Sequence, residues 1–469
     1  MSRESNLAKN TVIIAFGTFL PKLSSIITLP IITAELTKSE YGTYDLITIL
    51  VLFFLPLVTF QVHSAAFRFL IDFRNDVAET KKIVSTVFTF IIPMSLFALV
   101  ILFFCLFKLD TSTRLLICFY FFADVLLVVT QQIIRGFSNN KLYSASAVLQ
   151  SLINMALVVY TLSFGKKGIN GVLFSIATAT FISAILVFIK GKILRFIDVA
   201  FISRKTMKEL FAYSWPMIPN ALSSWVLNFS NRIVLSSFLG LEASAIFSVA
   251  NKIPSLLFIV QGTFVFAWQE NASLAAKDHD VSEYYSNMFD RFFCVLAGIM
   301  ALLIPITPFL FDLLVKGDYG DAYYQIPLLF LGVFFSSLSS FFGGIYVAHK
   351  KTKSVGLTTI FGAVCNLVIN MLGVSFFGVF SASISTLVSF FLLALYRMID
   401  VLKFQKLRYD YKKIMILLFL LVMSCGICFI NNRFLSIANF LLGAVLACVI
   451  NRNIILSSFV LVRKMFVKR

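Results

Sequence analysis

Long apolar runs recur along the whole chain, bounded by clusters of basic residues, and they constrain its fold more than any other feature. A helix that crosses a bilayer needs about 20 consecutive apolar residues. Fourteen runs approach or exceed that length: 11–34, 43–67, 83–107, 115–135, 143–164, 170–189, 211–238, 245–268, 288–314, 326–348, 355–375, 378–396, 414–431 and 435–451. Composition agrees, since 59% of the 469 residues are hydrophobic and 13% are charged. A soluble domain carries about 25% charged residues, so a soluble enzyme and a disordered chain are both excluded. The chain reads as an all-α integral membrane protein with about 14 transmembrane helices. The stretch from Thr11 to Ala34 is too long for a signal-peptide core and reads as the first span. Residues 454–469 read as a basic interfacial helix after the last span.

The charge balance is strongly basic, with 40 Lys and Arg against 22 Asp and Glu, a net +18. With residues 1–10 on the cytoplasmic side, thirty of the 40 bases lie on that side, seven on the other and three inside spans. That bias is the positive-inside pattern. It predicts a multi-pass membrane protein with both termini cytoplasmic. It also accounts for most of the net charge as topology rather than as a nucleic-acid surface. Every loop on the outer side is short, the longest lying near 316–325. No extramembrane catalytic domain is expected.

Two longer basic linkers, 190–210 and 397–413, divide the chain into six spans, six spans and a final pair. The expected units are therefore 1–205, 206–398 and 399–469. An internal repeat supports the division. Residues 36–46 (LTKSEYGTYDL) and 239–249 (LGLEASAIFSV) align at a shift of 203, placing Gly42 on Ala245 and Tyr44 on Phe247. Upstream, Pro21 precedes Ser24-Ser25 and Pro219 precedes Ser223-Ser224. The pattern predicts two six-helix bundles related by pseudo-twofold symmetry, a frequent transporter plan with a central site.

Charge inside the spans is the chemical signal. Lys22 falls in the first span, Arg232 in the seventh and Lys252 in the eighth. Each costs roughly 2.5–3.5 kcal/mol at a helix centre and so faces a partner or a cavity, unless it snorkels to the surface. Asp45 lies just inside span 2 and Asp124 in mid-span 4, as structural carboxyls or as sites for proton or cation coupling. Arg68 and Arg135 close spans 2 and 4, as anchors or as a basic mouth for an anionic substrate. His63 reads as a polar contact. Pro21 and Pro30 in span 1, and Pro216 and Pro219 opening span 7, predict bent first helices in both halves. Gln131, Gln132, Asn154, Asn220, Asn228, Asn366 and Asn370 could bind sugar hydroxyls or bridge helices. The Cys425-Cys428 pair lies in an apolar run and reads as packing. Neither a Walker A motif, nor a catalytic triad, nor zinc spacing, nor a nucleic-acid module is present. No enzyme activity and no cofactor are expected, apart from coupling to H+ or Na+.

Several local patterns carry a resemblance. They are Gly17, Leu20-Pro21-Lys22-Leu23, Leu29-Pro30, Glu40-Tyr41-Gly42-Thr43-Tyr44-Asp45-Leu46 and Phe67-Arg68-Phe69-Leu70. Further on come Gly168-Ile169-Asn170-Gly171-Val172, Trp215-Pro216-Met217-Ile218-Pro219, Ser230-Asn231-Arg232, Ala250-Asn251-Lys252-Ile253-Pro254 and Phe266-Ala267-Trp268. Over roughly residues 6–400 the chain resembles the bacterial polysaccharide flippases, the Wzx-type translocases of O-antigen and capsule repeat units. These belong to the multidrug/oligosaccharidyl-lipid/polysaccharide exporter superfamily. The resemblance implies two six-helix bundles around a central cavity, with a trailing helix pair. It implies transfer of an undecaprenyl-diphosphate-linked oligosaccharide from the cytoplasmic to the outer leaflet by alternating access. It also implies membrane lipids, a polysaccharide polymerase and chain-length proteins as partners. In related lipid II flippases, bases in the first, second and eighth helices serve the diphosphate, and Lys22, Arg68 and Lys252 match those positions. Lysine keeps the charge there without the bidentate geometry of arginine. Asp45 matches an acidic residue at the start of the second helix.

The competing reading is an ion-coupled multidrug antiporter of the same fold. Its cationic substrates would call for acidic residues in the cavity, whereas bases equal or outnumber acids inside these spans.

Overall fold

The computed structural model describes Gly17 and residues 19–74, 76–276 and 278–452. The first residues of the expected span 11–34 and the expected basic helix at 454–469 lie outside the described residues. All regular structure among the described residues is helical. Eleven of the described helices are long and apolar enough to cross a membrane, and the chain is a multi-pass membrane protein. The three remaining expected spans have physical reasons for standing apart. The first begins outside the described residues. The seventh is the polar helix Met217–Phe238, which carries Asn220, Asn228, Asn231, Arg232 and five serines. The eighth is divided at Leu256, two residues after Pro254.

The chain forms two compact units, Met1–Ile233 and Val234–Arg469. In the first, α1 (19–27) meets α2 (Leu29–Glu35) at a bend on Thr28, with Pro30 in the first turn of α2. There follow α3 (Lys38–Thr59), α4 (Val62–Asp72), α5 (Val77–Cys105), α6 (Thr111–Gly136), α7 (Asn140–Val159, extended by a π turn to Phe164) and α8 (Gly168–Lys190). Next are α9 (Arg204–Ser214) and α10 (Met217–Phe238), inside which the unit boundary falls.

Helix starts follow the side chains that can cap them. Thr37 and Glu40 form a reciprocal capping box on α3. Asp76, Asp110, Asn139 and Ser203 cap α5, α6, α7 and α9. Such caps satisfy the free N–H groups of the first turn. The expected span 43–67 is interrupted: Phe60 and Gln61 both take left-handed φ (48° and 57°) and separate α3 from α4. Helices approach closely where side chains are small, as expected without a hydrophobic drive inside lipid. A Cβ on Gly17 would stand 2.7 Å from Ser144, and Ser24 donates to the Ser151 carbonyl at 3.0 Å. The two contacts are in the same register, so α1 and α7 run parallel. A Cβ on Gly136 would stand 2.7 Å from the Leu70 Cβ. The core beneath is built from Ala65, Ala66, Leu70, Val87, Val125, Val129 and Ile133.

The second unit contains α11 (Leu241–Ser255), α12 (Leu257–Ala275), α13 (Val281–Leu303), α14 (Thr307–Leu314), α15 (Gly320–Tyr323) and α16 (Ile326–Ala348). It ends with α17 (Thr352–Phe377), α18 (Phe380–Val401), α19 (Tyr411–Phe429) and α20 (Arg433–Ile450). The starts of α3 and α11, Lys38 and Leu241, stand 203 residues apart, the shift of the sequence repeat. α16 is the most buried of the eleven spans. Trp268 of α12 stacks on Phe341 at 4.4 Å between ring centroids and donates its indole N–H to the Phe341 carbonyl at 2.8 Å. Gly443 of α20 lies against the backbone of Ala301 in α13. Lys413 of α19 pairs with Asp290 of α13 at 2.7 Å.

Candidate functional site

Three of the flagged charged residues of the first unit, Asp45, Asp124 and Arg232, lie on α3, α6 and α10. The capping box at Thr37 fixes the start of α3, which places Asp45 two turns into the helix. Trp225 docks α10 against that helix: its indole N–H donates to the Ile49 carbonyl at 2.8 Å, and its ring lies 4.6 Å from Phe53. Two turns farther along α10, Arg232 reaches back to Asp45, with Nε 3.1 Å from Oδ2. The contacts advance along α10 as they retreat along α3, so the helices are antiparallel. The two side chains are only 9% and 7% exposed. Arg232 also lies over the Phe229 ring at 5.6 Å. Arg232 and Asp45 therefore neutralise each other in an almost water-free setting.

Asp124 stands on α6, one turn after Tyr120, and its Oδ2 is buried with no hydrogen-bond partner. Tyr120 interacts electrostatically with both Asp124 and Tyr44, the neighbour of Asp45. A buried carboxyl oxygen without a donor is costly when ionised. Among the described residues no group of His, Cys, Asp and Glu side chains has the arrangement of a metal site.

The other flagged bases are dispersed. Lys22 is exposed on α1. Arg68 on α4 is exposed and pairs with Asp72 one turn on, at 2.5 Å. Arg135, at the end of α6, is sandwiched between the rings of Phe67 (4.6 Å) and Tyr143 (5.1 Å) and donates to Gln132 at 3.2 Å. Lys252 belongs to the second unit, where it is partly buried and partnered in the last turn of α11. His63 is buried at the start of α4, with Nδ1 unpaired. Pro21 sits within α1, whereas the bend falls at Thr28 beside Pro30. Pro216 occupies the turn between α9 and α10, and Pro219 the first turn of α10.

Five of the seven flagged amides are withdrawn into the protein. Gln131 donates to Ser146, Gln132 accepts from Arg135, and Asn154 keeps a buried Oδ1. Asn366 donates to Ser389, and Asn370 accepts from Ser381. Asn220 and Asn228 are exposed.

One functional-looking residue escaped the sequence reading. Arg397 opens the basic linker expected at 397–413, yet it is 4% exposed and ties three helices of the second unit together. It donates to the Ser339 carbonyl (2.9 Å), the Val355 carbonyl (3.1 Å), and the Thr358 (2.8 Å) and Thr359 (3.0 Å) hydroxyls. Met398 and Ile399, which continue the apolar run past it, are the signal that it lies inside the helix.

The family model described as polysaccharide biosynthesis protein matches residues 7–270. Solved structures agree on the fold. A lipid II flippase, MurJ, in an inward closed conformation, is similar over 96% of this chain and 100% of its own, with 14% identity and a TM-score of 0.70. An inward-facing multidrug resistance MATE family transporter of the MOP superfamily is similar over 81% of this chain and 98% of its own, with 15% identity and a TM-score of 0.58. An outward-facing one covers 84% and 95%, with 14% identity and a TM-score of 0.56. No curated protein sequence matches.

Proposed function

The chain belongs to the polysaccharide biosynthesis protein family, and from that premise we propose that it is a flippase for an undecaprenyl-diphosphate-linked oligosaccharide repeat unit. It carries the lipid-linked sugar from the cytoplasmic to the outer leaflet of a bacterial cytoplasmic membrane by alternating access. Both termini lie on the cytoplasmic side. A glycan polymerase and chain-length proteins take the product onward.

The observation that carries this reading is Lys22. Lys22 is an exposed residue on a helix whose neighbouring exposed side chains include Phe19, Leu20 and Ile27. A lipid diphosphate and its glycan need replacement solvation to cross hydrocarbon, and a cation in a hydrated space supplies it. In this reading Lys22, Lys252, Arg68 and Arg135 serve the diphosphate, while Arg232 acts through its pair with Asp45. The bends near Pro30 and at Pro216 and Pro219 give the first helix of each half its freedom to rock. An inward-negative potential favours moving negative charge outward, by about 2.3 kcal/mol per charge per 100 mV. Asp124, with its unpartnered oxygen, is assigned to coupling with an inward H+ or Na+ gradient.

The test uses a strain lacking the protein and making no surface polysaccharide. Lys22→Ala and Lys252→Ala are expected to abolish polymer display at normal protein abundance. Full restoration of display by both variants would refute the cationic site. Export of small cationic compounds by the purified protein, without any effect of these substitutions, would favour the antiporter instead.

A further inference from the structure

α10 exposes an unusual face. Between Met217 and Ile233 the exposed residues are Pro219, Asn220, Ser224 and Asn228. The last three recur every fourth residue, so they form one strip along the helix, with steps of about 6 Å. Trp225, which docks on α3, lies beside the strip, one turn before Asn228. Helices that face lipid look different here: α5 exposes Ile92, Leu96, Phe97, Val100, Ile101 and Phe104. Amide groups turned toward hydrocarbon are costly, so the α10 strip faces water. Asn228 turns its Nδ2 onto the Ser224 carbonyl at 2.7 Å. Among the described residues nothing bonds its Oδ1 or the side chain of Asn220. Each amide thus offers unused acceptor and donor capacity.

We propose that this strip of Asn220, Ser224 and Asn228 holds the glycan of the substrate, through hydrogen bonds to its hydroxyl groups. The proposal rests on the flippase reading and assigns the sugar half of the substrate, as Lys22 is assigned the diphosphate half. Carbohydrate is the occupant that the chemistry selects. The strip carries no charge, so an ionic ligand gains little there. It carries no exposed large apolar side chain, so a lipid tail gains nothing. A polyhydroxylated chain presents donors and acceptors in succession, and the strip matches them in kind. The other flagged amides are excluded by the bonds or burial already described for them.

The test compares two probes on the purified full chain in lipid nanodiscs. One is the undecaprenyl-diphosphate-linked oligosaccharide extracted from a strain that makes the polymer; the other is undecaprenyl diphosphate without sugar. The unaltered protein is expected to bind the sugar-bearing lipid about tenfold more tightly, the size expected of a few neutral hydrogen bonds. The double variant Asn220→Ala with Asn228→Ala is expected to lose that preference while binding the bare lipid unchanged. Ser224→Leu, which puts bulk in the middle of the strip, is expected to lose it as well. If both altered proteins keep the preference, the strip does not hold the glycan, and the flippase reading stands. Equal binding of both probes by the unaltered protein has the same meaning. Binding of neither probe overturns both.

Discussion

The Asp45–Arg232 pair permits the sharpest test of how the first unit is held together. Both side chains are below a tenth exposed, and Arg232 Nε stands 3.1 Å from Asp45 Oδ2. Removing one partner from such a pair leaves an uncompensated charge in low dielectric, which costs about 3–5 kcal/mol. Asp45→Asn is therefore expected to lower the folding equilibrium by two to four orders of magnitude, and Arg232→Gln to do the same. The double variant has lost both charges together. It retains two amides of similar size and stays docked by Trp225, so it is expected to lose only about 0–2 kcal/mol relative to the parent. The cycle yields a coupling of about 4 kcal/mol or more, far above the few tenths seen for independent sites. The assay is the fraction of detergent-solubilised protein that remains folded under a fixed denaturant series, for all four proteins. Additive losses within about 0.5 kcal/mol would refute the pairing, because they would mean that each charge is solvated independently.

Three further outcomes are expected. Gly136→Leu is expected to destabilise the protein by about 1–3 kcal/mol through overpacking, since even a Cβ there would stand 2.7 Å from that of Leu70; a thermal midpoint equal to the parent's would contradict it. His349, just beyond α16, is held below the ordinary imidazole range by burial and by the Lys351 charge. The unfolded chain then binds the extra proton more readily, so stability is expected to fall as pH drops through about 6.5, and His349→Gln is expected to flatten that slope. A cysteine replacing Asp318, in the turn between α14 and α15, is expected to react with a membrane-impermeant thiol probe on intact cells; labelling only after lysis would reverse the proposed orientation.

Much of the fold was legible because a membrane forces hydropathy to declare itself. The repeat predicted equivalent helices in the two halves, and Lys38 and Leu241 start theirs at the repeat's own spacing. The break at Phe60 and Gln61 is poorly marked in the sequence, because Pro56 lies one turn before it, inside α3, and no glycine stands at the left-handed positions. The break at Leu256 follows Pro254, a mark that the continuous apolar run 245–268 overrides in the sequence. Of the candidate site, the residue types were visible but their company was not. Asp45 and Arg232 were flagged singly, and no periodicity within one helix can show that residues so distant in sequence are paired. The seven amides looked alike in the sequence, since burial and partners are properties of the packed helices.

The basic residues sort by the means that compensate them, and the sorting bears on transport. Arg232 is met by a carboxylate, Arg135 by two aromatic faces, and Arg397 by hydroxyls and carbonyls. All three are arginines, whose planar, weakly hydrated group suits fixed partners in a dry setting. Lys22 is different in both respects: it is exposed, and its ammonium is a point charge on a flexible stem. A residue that must grip a diphosphate on one side and release it on the other gains from that flexibility, because a bidentate hold would slow release. On the flippase reading Arg232 and Arg397 keep the helices in register, and Lys22 is the flexible hold on the cargo. Lys22→Arg should then tighten binding of undecaprenyl diphosphate while slowing polymer display, whereas faster display with tighter binding would show that grip, not release, limits the cycle.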